Sequence, residues 1–157
     1  SGPFHQRPCF VEAVHGEDQF QFGRFMDVEQ FVIELQAKFV QDDMTALILQ
    51  VVGNITDSVV NTFADDGITQ QVTSKSGIGR VINANIPNPV TLQPFRTFSE
   101  IDQPAGRFVL RLRSGNGDKR PDVALFEADG GAWKLEAIKR IQKWLRDHLP
   151  KDVAVIA

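Results

Sequence analysis

Glu127 and Asp129 stand two residues apart at the end of a strand-like run, Asp-Val-Ala-Leu-Phe-Glu-Ala, and are followed by Gly130, Gly131 and an amphipathic segment. Side chains two apart on a strand point to the same side, so the two carboxylates could hold a divalent cation or share a proton. The free N–H groups at the start of the following helix would face the same place. A metal-dependent nuclease of the restriction-endonuclease type wants more, an acid followed by Glu-x-Lys on the next strand. Here Lys134 falls inside the helix and the spacing is missing. Asp129 also has a plain role as cap of the helix that begins after the glycines, and that reading is preferred.

Two further groups could contact a ligand. Pro94-Phe95-Arg96-Thr97-Phe98, with Glu100, Asp102 and Gln103 close behind, sets a guanidinium between aromatic rings, an arrangement that can stack on a base or grip a phosphate. The bland alternative pairs Arg96 with Glu100 or Asp102 and puts the rings in the core. Arg107, Arg111 and Arg113 alternate along one strand face, extended by Lys119 and Arg120, and could form a nucleic-acid or nucleotide-phosphate surface. No aromatic residue interleaves on that face, so no base-stacking platform is indicated and a solvated strand face is favoured.

Other chemistries lack their residues. His5, His15 and His148 show no metal spacing. Ser76-Gly77-Ile78-Gly79-Arg80 lacks the Lys-Ser/Thr ending of a phosphate-binding loop. There is no Gly-x-Ser-x-Gly elbow, and Cys9 reads as a small buried apolar residue rather than a nucleophile. No catalytic residue, metal site or cofactor is therefore assigned.

The elements that must position these groups follow from pattern. The 157 residues suffice for one domain, 1–157, with a substantial core, and the 42% apolar and 24% charged composition is that of a folding chain. A lone cysteine excludes an internal disulfide framework and fits a reducing cytoplasm. No apolar run reaches membrane-spanning length. Ser1-Gly2-Pro3 reads as a cloning remnant, with natural sequence expected upstream. Residues 1–79 carry four basic side chains against eleven acidic, and residues 80–157 thirteen against nine. That asymmetry could orient the molecule on a partner, although two ordinary solvated faces are the simpler reading.

Strands are expected at Cys9–His15 and around Phe20–Phe22, then a helix from Val28 to Val40 with Asp27 as N-cap, Gln30 completing a capping box, and Asp42 and Asp43 closing it. The apolar run Thr45–Val52 suggests a strand buried on both faces, ending in a Gly53-Asn54 turn. Ile55–Phe63 and Ile68–Ser74 form a polar hairpin about Asp66-Gly67, either a solvated flap or an edge that meets another chain. Further strands are expected at Arg80–Asn85, Val90–Phe98 (broken by Pro94), Arg107–Arg113 and Asp122–Ala128. A C-terminal helix at 132–148 presents Trp133, Ala137, Ile138, Ile141, Trp144, Leu145 and Leu149 as a core stripe, with a short strand at Val153–Ile156 after it. The whole is an α+β fold on a mostly antiparallel sheet.

Asn85-Ile-Pro-Asn-Pro-Val-Thr-Leu, Pro94-Phe-Arg-Thr-Phe-Ser-Glu-Ile-Asp-Gln-Pro, Leu125-Phe-Glu-Ala-Asp-Gly-Gly-Ala-Trp-Lys-Leu-Glu-Ala and Asp65-Asp66-Gly67-Ile-Thr-Gln together resemble a family of uncharacterised phage and prophage proteins over roughly residues 22–148. The resemblance implies a phage-encoded protein acting in the host cytoplasm and carries over no activity and no catalytic residue. The preferred expectation is a non-enzymatic binding protein, a homo-oligomer acting on nucleic acid, a nucleotide signal or a host protein. The alternatives are a metal-dependent phosphodiesterase or nuclease built on Glu127 and Asp129, and a virion component.

Overall fold

A computed structural model describes residues 8–14, 16, 18–56, 58–65, 69–76, 80–113 and 120–156, with the backbone alone for those between 55 and 85. The fold is α+β. Helix α1 (Val28–Lys38) starts where Asp27 accepts a 2.8 Å hydrogen bond from the Glu29 N–H and buries Val28, Phe31 and Leu35 along one side. Gln30 does not complete the expected capping box, because its amide reaches forward to Glu34 at 3.3 Å. The helix ends two residues before Val40, since Phe39 turns extended to bridge Pro94.

Helix α2 (Asp43–Thr56) occupies the stretch expected to be a strand and its Gly53-Asn54 turn. Asp42 and Thr45 cap it reciprocally: the Thr45 N–H donates to Asp42 Oδ1 at 2.8 Å and the Asp42 N–H to Thr45 Oγ1 at 2.7 Å. Asp42 and Asp43 thus open this helix rather than close the previous one. A continuous apolar run does not by itself distinguish a buried strand from a buried helix, and here the cap decides.

A four-stranded antiparallel sheet has the order β1-β7-β6-β5, from β1 (Met26–Asp27), β7 (Asp122–Glu127), β6 (Gly106–Arg113) and β5 (Val90–Leu92). Phe108, Leu110 and Leu112 of β6 alternate into a core shared with Val123 and Leu125 of β7, α1, and Ile48, Val51 and Val52 of α2. Phe22 stacks on Phe108 with centroids 5.0 Å apart, and Phe20 packs on Phe39 at 5.1 Å. The segment around these rings is irregular rather than a strand, held to the sheet by the Gly23 N–H donating to Leu125 O at 2.8 Å.

A second antiparallel sheet, β2 (Ser58–Asp65), β3 (Thr69–Ser76) and β4 (Arg80–Pro87), contains the expected hairpin, whose first strand begins at Ser58 rather than Ile55 because Ile55 and Thr56 finish α2, and α2 touches all three strands. The Asp66-Gly67 hinge and the glycines of the 76–80 loop lie outside the described residues. Where Pro89 cannot extend the ladder, the buried Asn88 side chain substitutes, donating to Leu110 O at 3.2 Å and accepting from the Leu110 N–H at 3.0 Å.

Several expectations fail at the chain ends. Described residues from Cys9 to Val14 and from Val153 to Ile156 form no strand, and His15 lies outside the described residues. Cys9 is exposed, not buried. Val90–Phe98 keeps ladder pairing only over β5 and a bridge at Pro94. Helix α3 (Trp133–His148) forms as expected, yet Ala137 is its one buried residue, and Leu135 and Ile138 are exposed. Of the expected stripe, Ala137 is thus core, Trp133, Ile141, Trp144, Leu145 and Leu149 are half-buried, and Ile138 is exposed. Among the described residues no helix is long and apolar enough to cross a membrane.

Candidate functional site

The loop from Gln93 to Ala105 joins β5 to β6 and is fastened at both ends. At its start, the Val40 N–H donates to Gln93 O and the Phe95 N–H to Lys38 O, each at 2.8 Å, tying it to the exit of α1. Deeper in, the buried Gln103 amide replaces a missing ladder. Its Oε1 accepts from the N–H groups of Arg96 and Thr97 at 3.1 and 3.2 Å, and its Nε2 donates to Phe98 O at 3.0 Å. Arg140 of α3 donates to Asp102 O at 2.8 Å and Gln103 O at 3.2 Å, so the helix and the loop hold each other.

Within this frame the structure joins two groups that the sequence presented separately. Arg96 does not pair with Glu100 or Asp102. Its side chain, 2% exposed, reaches the end of β7, where Nη1 donates to Glu127 Oε1 at 2.8 Å and Nη2 lies 3.8 Å from Asp129 Oδ2. The guanidinium sits 4.1 Å over the Trp133 ring and 5.4 Å from that of Phe108. Burial lowers the Arg96 pKa, while Glu127 and Asp129 pull it back up; the group stays cationic at neutral pH. Arg96 Nη2 and Asp129 Oδ2 are buried without a hydrogen bond, the 3.8 Å gap being too long for one. Gly106 lies against both: a Cβ there would come within 2.9 Å of Asp129 Oδ2 and closer still to Arg96 Nη2.

Asp129 has the turn-forming role expected of it, with Oδ1 accepting from the Gly131 N–H at 2.9 Å, but it is not the cap residue of α3. That position belongs to Ala132, after Gly130 and Gly131 have turned the chain at φ of 61° and 81°. With Arg96 as counterion to both carboxylates, the positive charge that a divalent cation would bring is already supplied by the protein. Among the described residues no cluster of three metal-ligating side chains occurs.

The arginine strip is engaged along part of its length. Arg113 forms a two-pronged contact with Asp122 Oδ2, at 3.1 Å from Nε and 2.9 Å from Nη2, and covers Phe25 at 4.0 Å. Arg120 pairs with Glu29, Arg111 is half-buried, and Lys119 lies outside the described residues. Arg107 is exposed at the edge of a depression of about 260 Å³ beside Asp129, Trp133 and Glu136.

The larger concavity, about 1050 Å³, opens between the Phe95–Ile101 part of the loop, α3, the end of α1 at Ala37 and Lys38, and the described residues Val11 to Val14, Gly16, Asp18 and Gln19. Thr97 and Glu100 line it, together with Phe95, Phe98, Ile141, Trp144 and Leu145. Phe95 is 48% exposed and Phe98 41%. The sequence showed the α3 stripe, but not that Ile141, Trp144 and Leu145 in its C-terminal half would line a concavity.

Family models, curated proteins and solved structures give no match to this chain. The site therefore rests on its own geometry. It combines a rigid support, in which Arg96 locks the loop to the β7–α3 junction, with an open apolar groove beside it.

Proposed function

We propose that the protein is a non-enzymatic binding protein whose binding surface is the groove between α3 and the Phe95–Ile101 loop. One observation carries the reading: aromatic and aliphatic side chains from two firmly anchored elements face a concavity of about 1050 Å³ instead of closing on each other. Contiguous exposed apolar surface rimmed by polar groups is characteristic of interaction sites. The anchoring of the loop by Gln103 and Arg140 supports a pre-formed site, which lowers the ordering cost of binding. The nuclease alternative is weaker, since Glu127 is already bonded to Arg96 and Asp129 lies beside the same guanidinium. The resemblance to phage and prophage proteins supports a phage-encoded binder acting in a host cell.

Titration with the environment-sensitive apolar dye bis-ANS tests the reading. The wild type binds the dye saturably, and Phe98→Ser with Ile141→Gln reduces its affinity at least several-fold while the far-ultraviolet circular dichroism is kept. Equal dye binding by the folded variant overturns the assignment of the groove.

A further inference from the structure

The groove carries a charge pattern as well as an apolar floor, and the following rests on the binding reading just given. Three carboxylates line it, Glu12, Asp18 and Glu100, all exposed. Among the described residues none of the three takes part in an ion pair; Glu100 accepts only a 3.3 Å hydrogen bond from Ser99 Oγ. The two cations of the lining are already committed. Lys38 pairs with Glu34 at 3.4 Å and donates to Gln19 O at 3.4 Å, and Arg96 is buried against Glu127 and Asp129. Among the described residues, the groove thus presents unpaired carboxylates around an apolar floor.

We infer that it binds a basic amphipathic segment of a protein partner. The apolar side chains of that segment seat among Phe95, Phe98, Ile141 and Trp144, and its Lys or Arg side chains face Glu12, Asp18 and Glu100. The acidic rim opposes a polyphosphate backbone, which needs cations. At about 1050 Å³ the concavity reaches the upper end of the roughly 300–1,000 Å³ usual for small molecules, and an apolar trough with charged edges is the way grooves hold amphipathic helices. Complementary charge adds specificity and speeds encounter.

Fluorescence anisotropy with the intact chain tests this, using as probes a labelled Leu/Lys amphipathic peptide, a Leu/Glu peptide of the same apolar pattern, and an oligothymidylate. The Leu/Lys peptide is expected to bind saturably at moderate salt, and the other two not. Glu12→Gln, Asp18→Asn and Glu100→Gln combined should weaken it about tenfold, as three exposed ion pairs would, whereas Asp43→Asn with Asp152→Asn should leave it unchanged. Equal binding of the two peptides, or equal loss in the control variant, overturns the inference. Retained bis-ANS binding in that case leaves the groove itself standing, while loss of dye binding removes both. Light scattering that shows a dimer dissolved by the triple substitution makes a second copy the occupant, and also overturns the partner named here.

Discussion

Replacing Arg96 by Met separates what the buried charge does from what the buried side chain does. Methionine keeps much of the apolar volume between Trp133 and Phe108 and removes the guanidinium. The two carboxylates left behind differ. Glu127 is 43% exposed and can be rehydrated, whereas Asp129 is 8% exposed, and its Oδ2 has no other partner. Breaking a buried pair by removing one member costs roughly 3–5 kcal/mol. The long Asp129 contact and the half-exposed Glu127 place Arg96→Met at the lower end, about 3 kcal/mol. In a domain of this size that corresponds to a fall of roughly 6–12 °C in Tm. Asp129→Asn keeps an oxygen for the Gly131 N–H and removes the stranded charge. The double variant should therefore recover part of the loss, with a coupling of about 1.5 kcal/mol. Urea unfolding followed by tryptophan fluorescence measures all four species. An Arg96→Met protein within about 0.5 kcal/mol of wild type, or losses that simply add in the double variant, would refute the picture of Arg96 as the ion that holds the junction.

Other consequences follow from the same structure. Gly106→Ala drives a methyl group into Arg96 and Asp129, neither of which can swing into solvent, and should destabilise by about 1–3 kcal/mol; calorimetry reads it, and an unchanged Tm contradicts the close packing. Asp42→Ala removes half of the α2 cap and should lower stability by about 1 kcal/mol, detectable as a lower urea midpoint at constant m. The exposed Asp147 carboxyl is held below its ordinary pKa chiefly by a hydrogen bond from Lys143. Because the folded value is the depressed one, its small contribution is present at neutral pH and is lost as pH falls through the folded pKa. In an NMR titration, Lys143→Met should raise the Asp147 midpoint, and an unmoved midpoint rejects the pairing.

Much of the fold was legible where one physical signal dominated. The Asp27 cap with apolar residues at three- and four-residue spacing located α1, and strict alternation in Arg107–Arg113 located β6 and the side chains it buries. Thr45–Val52 misled because eight residues of mixed aliphatic character suit either a strand or a helix. The Asp42/Thr45 pair three residues apart was the discriminating signal. Cys9–Val14 has strand-like residues, but a strand also needs a neighbour, and neighbours are set by tertiary structure. The same limit applies at the candidate site. Arg96 and the Glu127/Asp129 pair each stood out by type, yet their union spans more than thirty residues, and local acids such as Glu100 looked like nearer partners. The groove was the least legible feature, since it brings apolar side chains of α3 opposite Phe95 and Phe98 of a loop more than forty residues earlier in the chain.

The most direct measurement uses Trp144 as a reporter from the groove. Of the two tryptophans in the chain, Trp133 lies over Arg96 and Trp144 lines the groove, so Trp133→Phe leaves a single emitter at the proposed site. On titration of that variant with an unlabelled Leu/Lys amphipathic peptide, a groove that binds such a segment predicts a saturable blue shift of Trp144 emission with one peptide per chain. Saturable binding of the peptide by calorimetry with the Trp144 spectrum unmoved would place the interaction elsewhere and contradict the account.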